Sequence, residues 1–213
     1  MSDKVPDRPT VAQRLLDVVG EDGVSLSEPL SEHTTFKIGG PADVFVAPDS
    51  IESAERAIAV CREEGVPFFV LGRGSDLLVS DLGYRGVIIC MADALDDLVV
   101  EDEKLVCQSG VTLSDAAEMA CALGLTGLEF ACGIPGTVGG AVFMNAGAYG
   151  GQIADVLESV RVVDAAGEVR EMGVDELDLG YRHSPMADDG LVVLSATCAL
   201  EPGDAAEIRA TME

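Results

Sequence analysis

Residues 133–150, GIPGTVGGAVFMNAGAYG, combine backbone freedom with a complete lack of charged side chains. Seven of the chain's 24 glycines fall between Gly133 and Gly151, and such an excess lets a ligand reach main-chain amides with no Cβ in the way. A phosphate or a flat ring suits a surface of that kind. Ala141, Ala146 and Ala148 keep it low, and Asn145 offers a donor and an acceptor side by side for a heteroaromatic edge. The plain alternative is a Gly-rich surface loop. A second loop, Gly72-Arg73-Gly74-Ser75-Asp76, follows the apolar run VPFFVL at 66–71 and precedes Leu77-Leu78-Val79. The pattern reads as buried strand, glycine turn, strand. Consecutive amides in such a turn form an anion-holding concavity, with the Ser75 hydroxyl as a further donor. It lacks the third glycine and the following helix of a Rossmann fingerprint.

The elements that must carry these loops follow from periodicity and stop signals. Val11–Val19 reads as an amphipathic helix ended by Gly20, and Asp43–Val46 as a strand. Asp49 or Ser50 caps a helix with Ala54, Ala57, Ile58 and Cys61 on one face, and Gly65 ends it. Val87–Cys90 and Leu105–Cys107 are strand-like. Ser114 is placed to cap a helix running to Leu123, with Gly124 as its stop. Ser159–Asp164 and Glu168–Met172 form a hairpin through Ala165-Ala166-Gly167. A helical turn near Asp175–Leu179, the Tyr181–Ser184 tetrad and a strand at Leu191–Leu200 complete the order. Strands flank helices without regular alternation, which predicts an α+β fold rather than a doubly wound sheet. A boundary is expected near residues 92–104, where MADALDDLVVEDEK turns acidic.

Composition narrows the function. The chain has 213 residues, 48% of them hydrophobic, with a mean hydropathy of +0.29, enough to bury a core. It contains no apolar run of membrane-spanning length, and MSDKVPDRPT lacks the layout of a secretion signal, so a cytoplasmic location is expected. The six cysteines form no Cys-x-x-Cys pair and read as reduced core residues, and two histidines, His33 and His183, do not favour a zinc site. The formal net charge of −25 disfavours nucleic acid and anionic membrane as partners. With 13 Lys and Arg in all, the cations inside motifs stand out: Lys37, Arg73 and Arg182.

Four segments in order, Thr35-Phe36-Lys37-Ile38-Gly39-Gly40, the Gly72–Asp81 loop, the 133–150 block and Tyr181-Arg182-His183-Ser184, closely resemble the UDP-N-acetylenolpyruvoylglucosamine reductase family from about Thr34 to Leu200. The resemblance implies a two-lobed FAD-binding domain of the vanillyl-alcohol oxidase (PCMH) type. Its divisions would be a lead-in over 1–30, a first lobe over 31–95, a second over 96–200, and at 201–213 the start of a further, substrate-binding domain. It also implies non-covalent FAD, NADPH as hydride donor, a UDP-sugar as substrate, and a place in peptidoglycan precursor synthesis.

Matching positions assign Arg182 as the catalytic arginine that steadies negative charge on the substrate's carboxylate. They put Gly72, Gly74, Ser75, Asp76 and Leu77 around the FAD pyrophosphate. Ile134, Pro135, Gly136, Thr137, Gly139, Gly140, Asn145 and Gly147 would line the rest of the groove. The family usually carries asparagine where this chain has Asp76, and an ionised carboxylate cannot donate to phosphate, so Asp76 is expected to take an amide or a ribose hydroxyl instead. The family's general-acid serine and assisting glutamate fall beyond Glu213. The sequence is therefore read as part of a longer reductase or as a natural fragment, the other reading being an FAD-binding module without turnover.

Overall fold

The computed structural model describes residues 8–92 and 94–213; residues 1–7 of the expected lead-in, and Asp93, lie outside them. The chain divides between Leu95 and Asp96 into two compact units.

The first unit opens with α1 (Arg8–Val19), which buries Val11, Ala12 and Leu15 at helical spacing and stops at Gly20 with φ 83°. β1 (Val24–Pro29) and β2 (Pro41–Val46) then pair antiparallel. α2 (Ile51–Glu63) follows, and it is Ser50 that caps it, exchanging hydrogen bonds with Ser53 in a reciprocal box. Ala54, Ala57, Ile58 and Cys61 are fully buried along its inner face. Burying Ile58 alone is worth roughly 1.5–3 kcal/mol of transfer free energy. Gly65, at φ 63°, ends the helix. β3 (Phe68–Leu71) and β4 (Tyr84–Cys90) complete a four-stranded sheet of order β1-β2-β4-β3, in which β4 runs parallel to both β2 and β3.

Two expectations are corrected here. The run at 66–71 forms an edge strand from Phe68 onward, with Phe69 exposed, rather than a fully buried one. Leu77-Leu78-Val79 is not a strand: residues 72–83 are irregular, and Leu78 is 72% exposed. Backbone contact explains the second difference. The 72–83 loop lies against residues 33–41 at separations that no side chain tolerates. Gly40 N–H donates to Ser80 O (2.9 Å), and a Cβ on Gly83 would overlap the Pro41 carbonyl.

The second unit is built on an antiparallel sheet of order β11-β10-β12-β6-β5, from β5 (Leu98–Glu101), β6 (Lys104–Gln108), β10 (Leu157–Val163), β11 (Val169–Gly173) and β12 (Val192–Ala199). The expected hairpin is β10 and β11, whose Asp164 carboxylate accepts from the Ala166 and Glu168 amides in the turn. α3 (Leu113–Ala122) starts at Thr112, not Ser114. Thr112 Oγ1 accepts from Asp115 N–H (3.0 Å), whereas Ser114 Oγ donates away from the helix to Cys132 O (2.8 Å). A short pair, β7 (Leu125–Thr126) with β13 (Glu201–Pro202), leads to α5 (Ala205–Met212). Asp204 caps α5, Ile208 is buried, and Arg209 forms a two-pronged bond to Glu118 on α3 (2.7 and 2.6 Å). One core, running from Leu105 through Val142 to Leu200, underlies the sheet and these helices.

All six cysteines are free thiols, and all but Cys132 are buried. Burial pushes Cys61, Cys107 and Cys198 from 9.0 up to about 12, because an apolar surround disfavours the thiolate. The raised values contribute stability that is complete below pH 9 and is lost as pH climbs from 9 towards 12, where the unfolded chain ionises first. Equilibrium unfolding across that window is expected to show falling stability, with these thiols unreactive towards alkylating reagents at pH 8 until the chain is unfolded. Glycine packing gives a second test. Gly65→Ala places a Cβ in open space at positive φ and is expected to cost about 1 kcal/mol. Gly83→Ala adds a collision with backbone and is expected to cost more than about 3 kcal/mol by denaturant titration.

Candidate functional site

In the first unit two of the four motif segments meet. Thr35 N–H and Thr35 Oγ1 both donate to Gly74 O (3.2 Å each), and His33 O lies where a Cβ on Gly74 would be. His33 is itself held by a 2.9 Å contact to Glu28 and by stacking on Phe45, with ring centroids 4.2 Å apart. Gly72, Gly74, Ser75, Asp76 and Leu77 thus share one loop pinned from beneath. Among the described residues the amides of Gly74, Asp76 and Leu77 donate no hydrogen bond, and Gly74 is buried. Unspent donors in a tight turn are what an anion needs. The Asp76 side chain is exposed, on a residue whose amide is one of these open donors.

In the second unit the other two segments meet. The Gly-rich block is not a loop throughout: it contains α4 (Val138–Met144), which buries Val138, Ala141 and Val142. Thr137 caps its start, with Oγ1 accepting from Gly140 N–H (3.4 Å). Gly139 sits against Ser109 so closely that a Cβ would fall 2.8 Å from the Ser109 Cβ, and Gly139 N–H donates to Ser109 O (2.9 Å). Gly140 is exposed, and a Cβ there would meet nothing nearer than 3.6 Å. Ile134, Pro135 and Gly136 form the approach to the cap.

Asn145 ends α4 in the left-handed region, φ 40° and ψ 58°, a conformation that asparagine tolerates better than most residues. Its carboxamide does not face solvent as the sequence suggested. The residue is 1% exposed; Nδ2 donates to Gly180 O (2.9 Å) and Gln152 Oε1 (3.1 Å), and Oδ1 accepts from Ala154 N–H (3.0 Å). The amide is committed to these three bonds, so Asn145 acts from inside the second unit.

Residues 180–184 are tied to this block at two further points. Arg182 Nη2 donates to Gly147 O (2.9 Å), and the buried Ser184 donates from Oγ to Phe143 O (2.5 Å). Gly180 and His183 exchange backbone hydrogen bonds (3.0 and 3.2 Å), closing a turn that puts Arg182 at φ 53°. The guanidinium lies 5.3 Å over the Tyr181 ring, a cation–π arrangement that keeps it extended along the surface. Both residues are exposed. Among the described residues Arg182 forms no ion pair, so one N–H is spent on a carbonyl and the charge is left for an anion. Arg182, Gly147 and Asn145 therefore belong to one cluster, which spacing in the sequence does not reveal. The signals that did point to it were the tetrad itself and the uncharged, glycine-rich block.

No helix among the described residues is long and apolar enough to cross a membrane, and no group of His, Cys, Asp and Glu among them could hold a metal ion. A family described as an FAD binding domain matches residues 42–173. UDP-N-acetylenolpyruvoylglucosamine reductase of Alkaliphilus metalliredigens is 41% identical over 207 residues, 97% of this chain and 68% of that protein. The protein of the same name from Clostridium botulinum strain Hall is 46% identical over 184 residues, 86% and 60% of the two chains. Among solved structures, the reductase of Thermus caldophilus superposes with a TM-score of 0.73 at 34% identity, over 89% of this chain and 65% of that one. A p-cresol methylhydroxylase superposes with a TM-score of 0.68 at 16% identity, over 92% and 43%, which supports the expected α+β fold of that type. The chain spans about two thirds of the length of the curated relatives it matches. On the similarity along almost the whole of its own length, it belongs to the UDP-N-acetylenolpyruvoylglucosamine reductase family.

Proposed function

We propose that this chain is the FAD-binding part of a reductase that converts UDP-N-acetyl-enolpyruvoylglucosamine to UDP-N-acetylmuramate at the expense of NADPH, in peptidoglycan precursor synthesis. The observation that carries the reading is Arg182, a guanidinium without an ion pair among the described residues, clamped by its neighbours beside the glycine-rich block. FAD, when bound, supplies hydride transfer from NADPH to the enolpyruvyl double bond. The free amides of Gly74, Asp76 and Leu77 suit its pyrophosphate, with Gly72 and Ser75 completing the turn. The low surface of Ile134, Pro135, Gly136, Gly139, Gly140 and Gly147, with the buried Thr137 capping α4 beneath it, suits its rings. The loop offers neither histidine nor cysteine at Ser75-Asp76, in keeping with a flavin held without a covalent bond.

Arg182 is assigned to bind the substrate carboxylate and stabilise the oxyanion as charge moves onto it. A guanidinium suits that task because it stays charged and its donors lie in one plane. A proton must also reach the neighbouring carbon, a task this reading assigns to no residue of the cluster. In relatives half as long again as this chain, that group has room to lie outside the matched segment. The same length difference keeps a second reading open, a flavin-binding module without turnover. Both readings place the protein among soluble cytoplasmic enzymes or modules with small-molecule partners.

Two measurements test this. The purified chain is expected to bind FAD and to be yellow, with its flavin bleached by NADPH in the absence of oxygen; a chain that takes up no flavin would overturn both readings, and flavin bound but never bleached would leave the module alone. In the turnover-competent protein, Arg182→Lys is expected to retain flavin absorbance and lose at least about a hundredfold in enoyl reduction, since an ammonium cannot reproduce the planar fork. Unchanged turnover would remove Arg182 from the reaction.

A further inference from the structure

The three ties between residues 180–184 and residues 143–147 are not equivalent. The Arg182 bond to Gly147 O is exposed, and that from Ser184 acts two residues past the arginine. The bond from Asn145 Nδ2 to Gly180 O is partly buried, its donor residue 1% exposed, and Gly180 is one half of the backbone turn that holds Arg182 at positive φ. The same carboxamide bonds Gln152 and Ala154, so two separate stretches of chain, 152–154 and the turn at Gly180, are referenced to one planar group. Asn145 also sets the path of the chain from α4 to Gly147, whose carbonyl takes the guanidinium.

We propose that Asn145 is a positioning residue for Arg182: its buried carboxamide, bonded at once to Gly180, Gln152 and Ala154, fixes the turn that aims the guanidinium. The carboxamide touches no ligand in this role. It acts by leaving the arginine one resting place, which reduces the reorganisation needed when an anion arrives. That the anion is a substrate carboxylate rests on the functional reading above; the coupling between Asn145 and Arg182 does not.

Asn145→Asp separates the ties. The introduced carboxylate keeps the shape, the left-handed backbone and the acceptor for Ala154 N–H, but loses both donors. Gln152 can answer by turning its own amide, at the loss of its bond to Asp155, whereas the Gly180 carbonyl cannot turn into a donor at all. Protonating the carboxyl gives back an O–H for Gly180 O. The titratable and charged groups around the site are Asp155, bonded to Gln152, with Arg182 and His183 on the tied turn; these are shared with the parent chain, whose own pH series serves as the baseline. Asn145→Gly keeps the backbone conformation and removes all three bonds without adding charge.

The experiment is residue-resolved NMR on the 213-residue chain, with the Arg182 Nε–H signal assigned by its disappearance in Arg182→Lys. In Asn145→Asp above the carboxyl's titration, the Gly180 and His183 amides are expected to exchange roughly tenfold faster, as the loss of one partly buried hydrogen bond implies. The Arg182 signal is expected to move, while amides of α3 and β12 keep their protection. Lowering the pH through that titration restores both readouts in Asn145→Asp but not in Asn145→Gly. Parent-like Arg182 signals and turn protection in both variants at every pH would overturn the proposal. So would protection lost evenly across the unit and not recovered in acid, since that is the mark of a residue needed only for stability. No flavin enters the measurement, so a chain that failed to bind FAD would end the functional reading while the link to Arg182 stood or fell on these spectra.

Discussion

The candidate site depends on one short helix being held at both ends. α4 has seven residues, two of them glycine, well below the length at which a helix sustains itself in water. Its stability comes from outside. Thr137 closes its first turn, Asn145 its last, and the face bearing Val138, Ala141 and Val142 is buried in the second unit's core. Gly139 permits the close approach to Ser109 that seats it. The seat has a cost: Ser109 Oγ is buried without a hydrogen-bond partner among the described residues, a penalty of roughly 1–3 kcal/mol for an unsatisfied polar group. A larger residue at Gly139 would relieve nothing and would lift the helix away from the sheet. With it would go the corner at Asn145 and the carbonyl of Gly147 that receives Arg182.

A parallel logic governs the first unit, with glycine against backbone in place of side-chain caps. The 33–41 and 72–83 segments have little regular structure, yet their relative path is fixed because Gly39, Gly40, Gly74 and Gly83 each pack where a Cβ would collide with the opposite segment. An irregular loop held this way keeps its amides pointed in set directions without forming a strand. Strand pairing would have consumed those amides. The free donors of Gly74, Asp76 and Leu77 therefore follow from the same contacts that prevent Leu77-Leu78-Val79 from pairing. Open amides and the absence of regular structure are two results of one packing arrangement.

The sequence made the regular elements legible wherever apolar spacing and stop residues agreed. α2 is the clearest instance, with a serine cap, a buried face at helical spacing, and Gly65 at its end. The hairpin of β10 and β11 was equally plain. What it concealed were features decided by contacts distant in sequence. β1 is polar and partly exposed, and is a strand only because β2 lies beside it. Thr112 and Ser114 are both plausible caps, and the choice fell to Thr112 because Cys132 O engages the other. α4 was masked by Gly139 and Gly140, whose low helix propensity outweighs an i, i+3, i+4 apolar pattern until tertiary packing is added. In the site, the residue types were readable but their directions were not. Asn145 appeared as a ligand-facing amide and is a buried corner, because nothing local announces that Gly180, 35 residues away, will lie under it.

Charge places a final constraint on how such a site works. A net charge of −25 would repel an anion approaching from afar, although at physiological salt the field decays over roughly 8 Å. Attraction must therefore be short-ranged, arising within a Debye length of the groove itself. Much of the chain's positive charge is already engaged: Arg14 with Glu63 and Glu64, Arg85 with Asp43, Lys104 with Glu158, Arg170 with Asp164, Arg209 with Glu118. Arg182 is kept out of such pairs by its geometry. Its bonding partner is a carbonyl and its neighbouring surface an aromatic ring, neither of which cancels its charge. On so acidic a protein an arginine free to swing would find a carboxylate. Fixing the turn on which it stands is thus also what keeps its charge available, so that its positioning and its electrostatic reach come from the same hydrogen bonds.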